Sequence, residues 1–238
     1  MFRRTALLML LVGFAMGGSC TISIAPDDDG NGSGGSGSSG TTLDQTTLSL
    51  SISRTVGDDE AEVLATIKDS RNRSVTLRSG QAVEVNSVAL DGPTGGQYSA
   101  DVAAGSEYAV VVREPTIGVQ TTTIASPADF EVTSHAENAT ASLSGFTLEW
   151  SVADESQQVT LKLSQTAQGS TRSETFGPLT DDGSHTLAAT DLSDFVHGTN
   201  VTLTIEITKT RSTTNINGVK SGTLSADLTA TRTVVPRP

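Results

Sequence analysis

From Leu43 onward the chain alternates between apolar and polar positions. Leu48, Leu50 and Ile52 are separated by single serines, and Val63, Ala65 and Ile67 repeat the spacing. Shorter segments follow at Val75–Leu77, Val83–Val85, Tyr98–Val102, Tyr108–Val112 and Thr121–Ile124. A period of two puts successive side chains on opposite faces of a strand, so one face of each segment can be buried and the other left wet. Gly57-Asp58, Ser79-Gly80, Asp91-Gly92-Pro93, Gly95-Gly96 and Gly105 punctuate the segments as turns. Short strands at this spacing predict an all-β sandwich.

Ser126-Pro127 predicts a joint, after which a second series of strands begins. Phe130–Val132 leads to Phe146, Leu148 and Trp150, which share a face. Val159, Leu161 and Leu163 alternate again, Phe176 ends a polar strand, and Asp181-Asp182-Gly183 makes a turn before His185–Leu187. Val201, Leu203, Ile205 and Ile207 form the cleanest strand, and Leu224, Ala226 and Leu228 run towards the end. Asp191 to Val196 predicts one helical turn with Thr190 as its cap. The expected architecture is two small antiparallel β-sandwich domains, residues 43–126 and 127–238.

The first forty-two positions follow other rules. Arg3 and Arg4 precede an apolar run from Ala6 to Met16, and Gly17, Gly18 and Ser19 follow it. The run is too short to span a bilayer, which takes about 20 residues. Basic, apolar, then small is the order of a signal peptide, residues 1–19. Residues 21–42 read TISIAPDDDGNGSGGSGSSGTT. Chains of Gly and Ser are flexible coils, and this one predicts a leash spanning about 25 Å.

Met16-Gly17-Gly18-Ser19-Cys20 resembles the lipobox of bacterial lipoprotein precursors, departing at Gly17, where the family usually places Leu. The resemblance implies that Cys20 is acylated on sulfur and becomes the mature N-terminus. It also implies outer-membrane sorting, because Thr21 stands where an Asp would signal retention at the inner membrane. Several acyl chains, at about 0.8 kcal/mol per buried CH₂, make a stable anchor. Residues 127–238 resemble fibronectin type III and immunoglobulin-like sandwiches in strand count, spacing and an early Trp150. The order of lipobox, Gly/Ser leash and two β domains resembles envelope lipoproteins of Gram-negative bacteria.

Composition narrows the function. The formal charge is −12, which disfavours nucleic acid, since phosphate neutralisation needs clustered Lys and Arg. Cys20 is the single cysteine, so no internal disulfide can form. The three histidines, His135, His185 and His197, sit in polar, turn-like contexts without the paired spacing of a metal site. No G-x-S-x-G elbow occurs. Asp58-Asp59-Glu60 and Asp181-Asp182 read as exposed turn acids, and adjacent strand residues point to opposite faces. Gly30, Gly32 and Gly35 match a dinucleotide fingerprint but lack the flanking strand and helix. Asp27, Asp28, Asp29 and Asn31 resemble part of a calcium loop with no closing Glu. Aromatic residues make up 4% of the chain, too few for a sugar-stacking platform, and Trp150 is expected in the core.

No cofactor, metal or small-molecule substrate is expected. The expected partners are the membrane, through the lipid on Cys20, and another envelope protein. These readings point to a non-catalytic binding or spacer module. The alternative is a secreted hydrolase, or an accessory domain of one, with a dispersed active site.

Overall fold

The computed structural model describes residues 41–198 and 200–238. The expected signal peptide, Cys20, Thr21, the Asp27–Asn31 cluster and the three glycines Gly30, Gly32 and Gly35 lie outside the described residues. What is described is almost wholly strand, with one 3-10 turn at Leu43–Gln45. No helix there is long and apolar enough to cross a membrane.

The alternation seen in the sequence places the side chains. On β1 (Thr47–Thr55), Leu48, Leu50 and Ile52 are buried. They lie opposite Ile67, Ala65 and Val63 of antiparallel β2 (Glu60–Lys68). A second sheet is built from β3 (Ala82–Val85), β4 (Val88–Ala89), β7 (Glu107–Glu114) and β8 (Gly118–Ala125). β5 (Asp91–Thr94) and β6 (Gln97–Ala103) extend the first sheet beyond β2. Val83, Val85, Tyr108, Val110 and Val112 meet Leu48, Ile52, Val63 and Tyr98 in one core, which is the sandwich arrangement. The expected segment Val75–Leu77 is not a strand. It is held by a Lys68–Ser74 bridge and by Val75 N–H donating to Ile67 O.

A second core forms from Phe130 onward. β11 (Gln158–Ala167), β12 (Ser170–Thr180), β14 (Leu203–Thr213) and β15 (Ser221–Arg237) continue the large sheet. β10 (Gly145–Glu149) pairs with β13 (Ser184–Ala188), and β9 (Thr140–Ser142) runs parallel to the end of β15. Leu148, Trp150, Leu161, Leu163, Leu187 and Ile205 are among the residues that close this core. Asp191 to Val196 forms consecutive turns rather than a helix. Asp191 Oδ2 accepts from Ala188 N–H, and Leu192 and Phe195 turn inward.

The two cores are not divided by chain order. β15 is 17 residues long, about 55 Å of extended backbone. Its first nine residues run parallel to β1, from Thr47↔Ser221 to Thr55↔Thr229, while Leu224 to Val234 pair antiparallel with β14. Leu224 and Ala226 enter the first core with Ile216, and Leu228, Ala230 and Val234 enter the second. Ser126-Pro127 lies between β8 and Phe130, where the second core begins. The last strand nevertheless enters both cores, so the sheet runs unbroken as β12-β11-β14-β15-β1-β2-β6-β5.

Both edges of that sheet carry a Gly-Pro step and a break in register. In β5 these are Gly92-Pro93 and a shift between Asp91 and Thr94. In β12 it is Gly177-Pro178, opposite a shift between Val159 and Leu161. Proline offers no N–H to a new strand, and a bulge turns the edge aside, so both ends of the sheet are partly blunted.

Candidate functional site

The most buried polar constellation lies in the second core. Along β14 the inward positions read Leu203, Ile205, Ile207 and then Lys209. Lys209 Nζ lies 2.8 Å from Asp181 Oδ2, and both side chains are essentially inaccessible. The ammonium also donates to Val152 O at 2.6 Å and to Ser151 O at 3.3 Å, and it sits 4.7 Å from the centre of the Phe130 ring. Trp150 Nε1–H donates to Asp181 Oδ1 at 2.6 Å. Oδ2 meets the ammonium as a charge contact rather than an aligned hydrogen bond.

A carboxylate, two carbonyls and a ring face surround Lys209 Nζ, which leaves no side of the group open to solvent. The arrangement ties four chain segments together, those of Phe130, Trp150 to Val152, Asp181 and Lys209. Trp150 is placed as the sequence implied. Asp181 is a correction: it is fully buried, whereas its neighbour Asp182 is the exposed turn acid. The available signal was a lysine at the next inward position of the cleanest strand, and a buried lysine calls for a buried partner.

A concavity of about 440 Å³ is an open groove on the polar face of the large sheet. Ser53, Asp58, Glu60, Glu62, Asp101 and Glu206 line it, with Arg54 at its side. Arg54 is bound by Asp129 and donates to Asp58 O, so its charge is already engaged. Glu62 stands directly opposite Asp101 across β2 and β6. Asp58, Asp59 and Glu60 are exposed, as the turn reading expected. Among the described residues, no group of three or more His, Cys, Asp or Glu is placed to hold a metal.

The histidines do not converge. His135 packs edge-on to Phe146 with 5.1 Å between ring centres, His185 lies 5.9 Å from Phe176, and His197 is exposed. Among the described residues, none of them forms an ion pair with a carboxylate.

A second cluster holds Thr41 to Leu43 against the fold. The buried carboxylate of Glu114 accepts from Leu43 N–H at 2.9 Å and from Gln81 Nε2 at 2.6 Å. Gln81 Nε2 and Arg78 Nη2 both donate to Thr41 O. Glu114 lies 71 residues from Leu43, so no local pattern announced this clamp.

Two acids, the buried Asp69 and the half-buried Asp154, are organised by local turns. Asp154 accepts from Ser156 Oγ at 2.6 Å, Gln157 Nε2 at 2.8 Å and Ser156 N–H at 3.0 Å, and Arg211 lies beside it. These donors, the Ser156 hydroxyl foremost, hold its carboxyl at about 2. The Arg73 backbone N–H, with help from its guanidinium and from Arg71 N–H, lowers Asp69 in the same way.

No family model matches the chain, and no curated protein shows a significant match to it.

Proposed function

We propose that this is a lipid-anchored envelope protein whose β region serves as a non-catalytic binding or spacer module. The observation that carries the reading is Cys20, the single cysteine, standing directly after a basic, apolar and small-residue leader. The acyl group fastens the chain to the membrane, in an outer membrane by the resemblance at Thr21, and residues 21–42 hold the folded part clear of the bilayer.

The mechanics of the fold support a spacer. The leash enters through Thr41 to Leu43, where Glu114, Gln81 and Arg78 grip the backbone. It continues into β1, which is paired on both sides, antiparallel to β2 and parallel to β15. A pull on the leash therefore arrives at the middle of the sheet rather than at a peeling edge. A partner would be another envelope protein, recognised through strand edges or end loops.

Fatty-acid labelling of wild type against Cys20→Ala tests the anchor. The expected result is label in the wild type, none in the variant, and release of the variant from the membrane fraction. An unlabelled wild type overturns the reading.

A further inference from the structure

β12 leaves one stretch of edge open. Residues 170–175 are all exposed, and among the described residues no strand pairs with the outer side of β12. The turn from β11 is made by Gln168 and Gly169, both with positive φ, 53° and 75°. A two-residue turn of this kind closes on a hydrogen-bonded pair, here Ala167 and Ser170. Alternation along an antiparallel ladder then points the backbone groups of Arg172 and Glu174 towards β11. Those of Thr171, Ser173 and Thr175 point outward, unpaired. The side chains of Arg172 and Glu174 lie on one face, opposite Gln165 and Leu163.

We propose that this edge pairs antiparallel with the same edge of a second copy, about a two-fold axis at Ser173. Charge selects the register. With Ser173 opposite Ser173, the hydrogen-bonded pairs are Ser173–Ser173 and the two Thr171–Thr175 combinations. Arg172 of each copy then faces Glu174 of the other, in the closely spaced pairs where Cα atoms are about 4.5 Å apart. The next register one way sets Arg172 against Arg172, and the next the other way sets Glu174 against Glu174. Glu174 has no ion-pair partner among the described residues. Arg172 donates one N–H to Asp194 O at 2.5 Å and keeps further donors.

The pairing is self-limiting. Gly177-Pro178 and the register break stop it beyond Phe176, and the far edge, β5, is four residues long and holds Pro93. Two copies use up each other's open edge, which gives a closed dimer rather than a growing sheet. The pairing does not depend on acylation of Cys20.

Sedimentation of the full chain over a concentration series tests the proposal on wild type, Arg172→Glu, Glu174→Arg and the double exchange. Far-UV circular dichroism reports whether each is folded. The expected result is a reversible wild-type dimer, weakened by about tenfold or more in each single variant and restored in the double exchange. Ser173→Cys should give a disulfide-linked dimer on mild oxidation. Thr175→Cys, and wild type with Cys20 alone, should not. A monomer at every concentration overturns the proposal, as it would if the N-terminal segment occupied the edge itself. A dimer indifferent to the single exchanges, assemblies larger than a dimer, or equal cross-linking at Thr175 also overturns it.

Discussion

Leu224 and Leu228 lie four residues apart on the same face of β15, yet each belongs to a different hydrophobic core. One strand therefore carries packing information between the two halves. Truncating either leucine to alanine should cost about 2–5 kcal/mol. Because the sheet is continuous, the loss should be felt in both cores. Trp150, the single tryptophan, reports the second core by fluorescence. Leu224→Ala, in the first core, should lower the urea midpoint seen by Trp150 as much as the midpoint seen by circular dichroism. An unchanged Trp150 midpoint would show that the cores unfold separately.

The Asp181–Lys209 pair is expected to behave asymmetrically. Removing the carboxylate with Asp181→Ala strands a buried ammonium and should destabilise by about 3–5 kcal/mol. Replacing both with apolar residues, Asp181→Leu with Lys209→Met, leaves no unpaired charge and should recover most of that loss. Chemical denaturation of the two variants beside wild type checks the prediction. A double variant no better than Asp181→Ala would mean that the Trp150 hydrogen bond and packing, not charge, dominate the site.

Glu62 and Asp101 oppose each other on exposed faces of adjacent strands, and like charges so placed repel. Glu62→Lys should stabilise the protein by about 0.2–1 kcal/mol. The gain should shrink in high salt, since exposed charges are screened. Thermal melts at low and high ionic strength measure both effects.

Asp154 and Asp69 set an acid limb of stability. Both are depressed in the folded state, so the unfolded chain takes up their protons first as pH falls. Their contribution is present above the ordinary carboxylate value of about 4. It is lost as pH drops towards about 2, the value at which Asp154 titrates in the fold. Urea midpoints measured from pH 5 downward should fall through this window. Asp154→Asn should flatten part of the slope, and an unaltered slope would count against the Ser156 and Gln157 hydrogen bonds as its cause.

The legible part of the fold was its local part. The alternation of Leu48, Leu50 and Ile52, or of Leu203, Ile205 and Ile207, is written in neighbouring positions, and those residues are buried as the period requires. Trp150 was readable as core because Leu148 shares its face. Asp181 was misread as an exposed turn acid because its partner Lys209 lies 28 positions further along, on a strand that looked complete at Ile207. The Glu114 clamp on Leu43 was invisible for the same reason.

Sequence alone determined that the chain from Leu43 is all β, where most strands lie and which face of each turns inward. A side chain's alternation and a turn's backbone demands are settled within a few residues. Tertiary structure alone decided which strands become neighbours. It set β15 parallel to β1, with Thr47 bonded to Ser221 across 174 positions, and it let one strand serve two cores. Strand pairing is a choice among distant partners, made by burying two faces at once and by letting buried charges meet, and no local pattern encodes it.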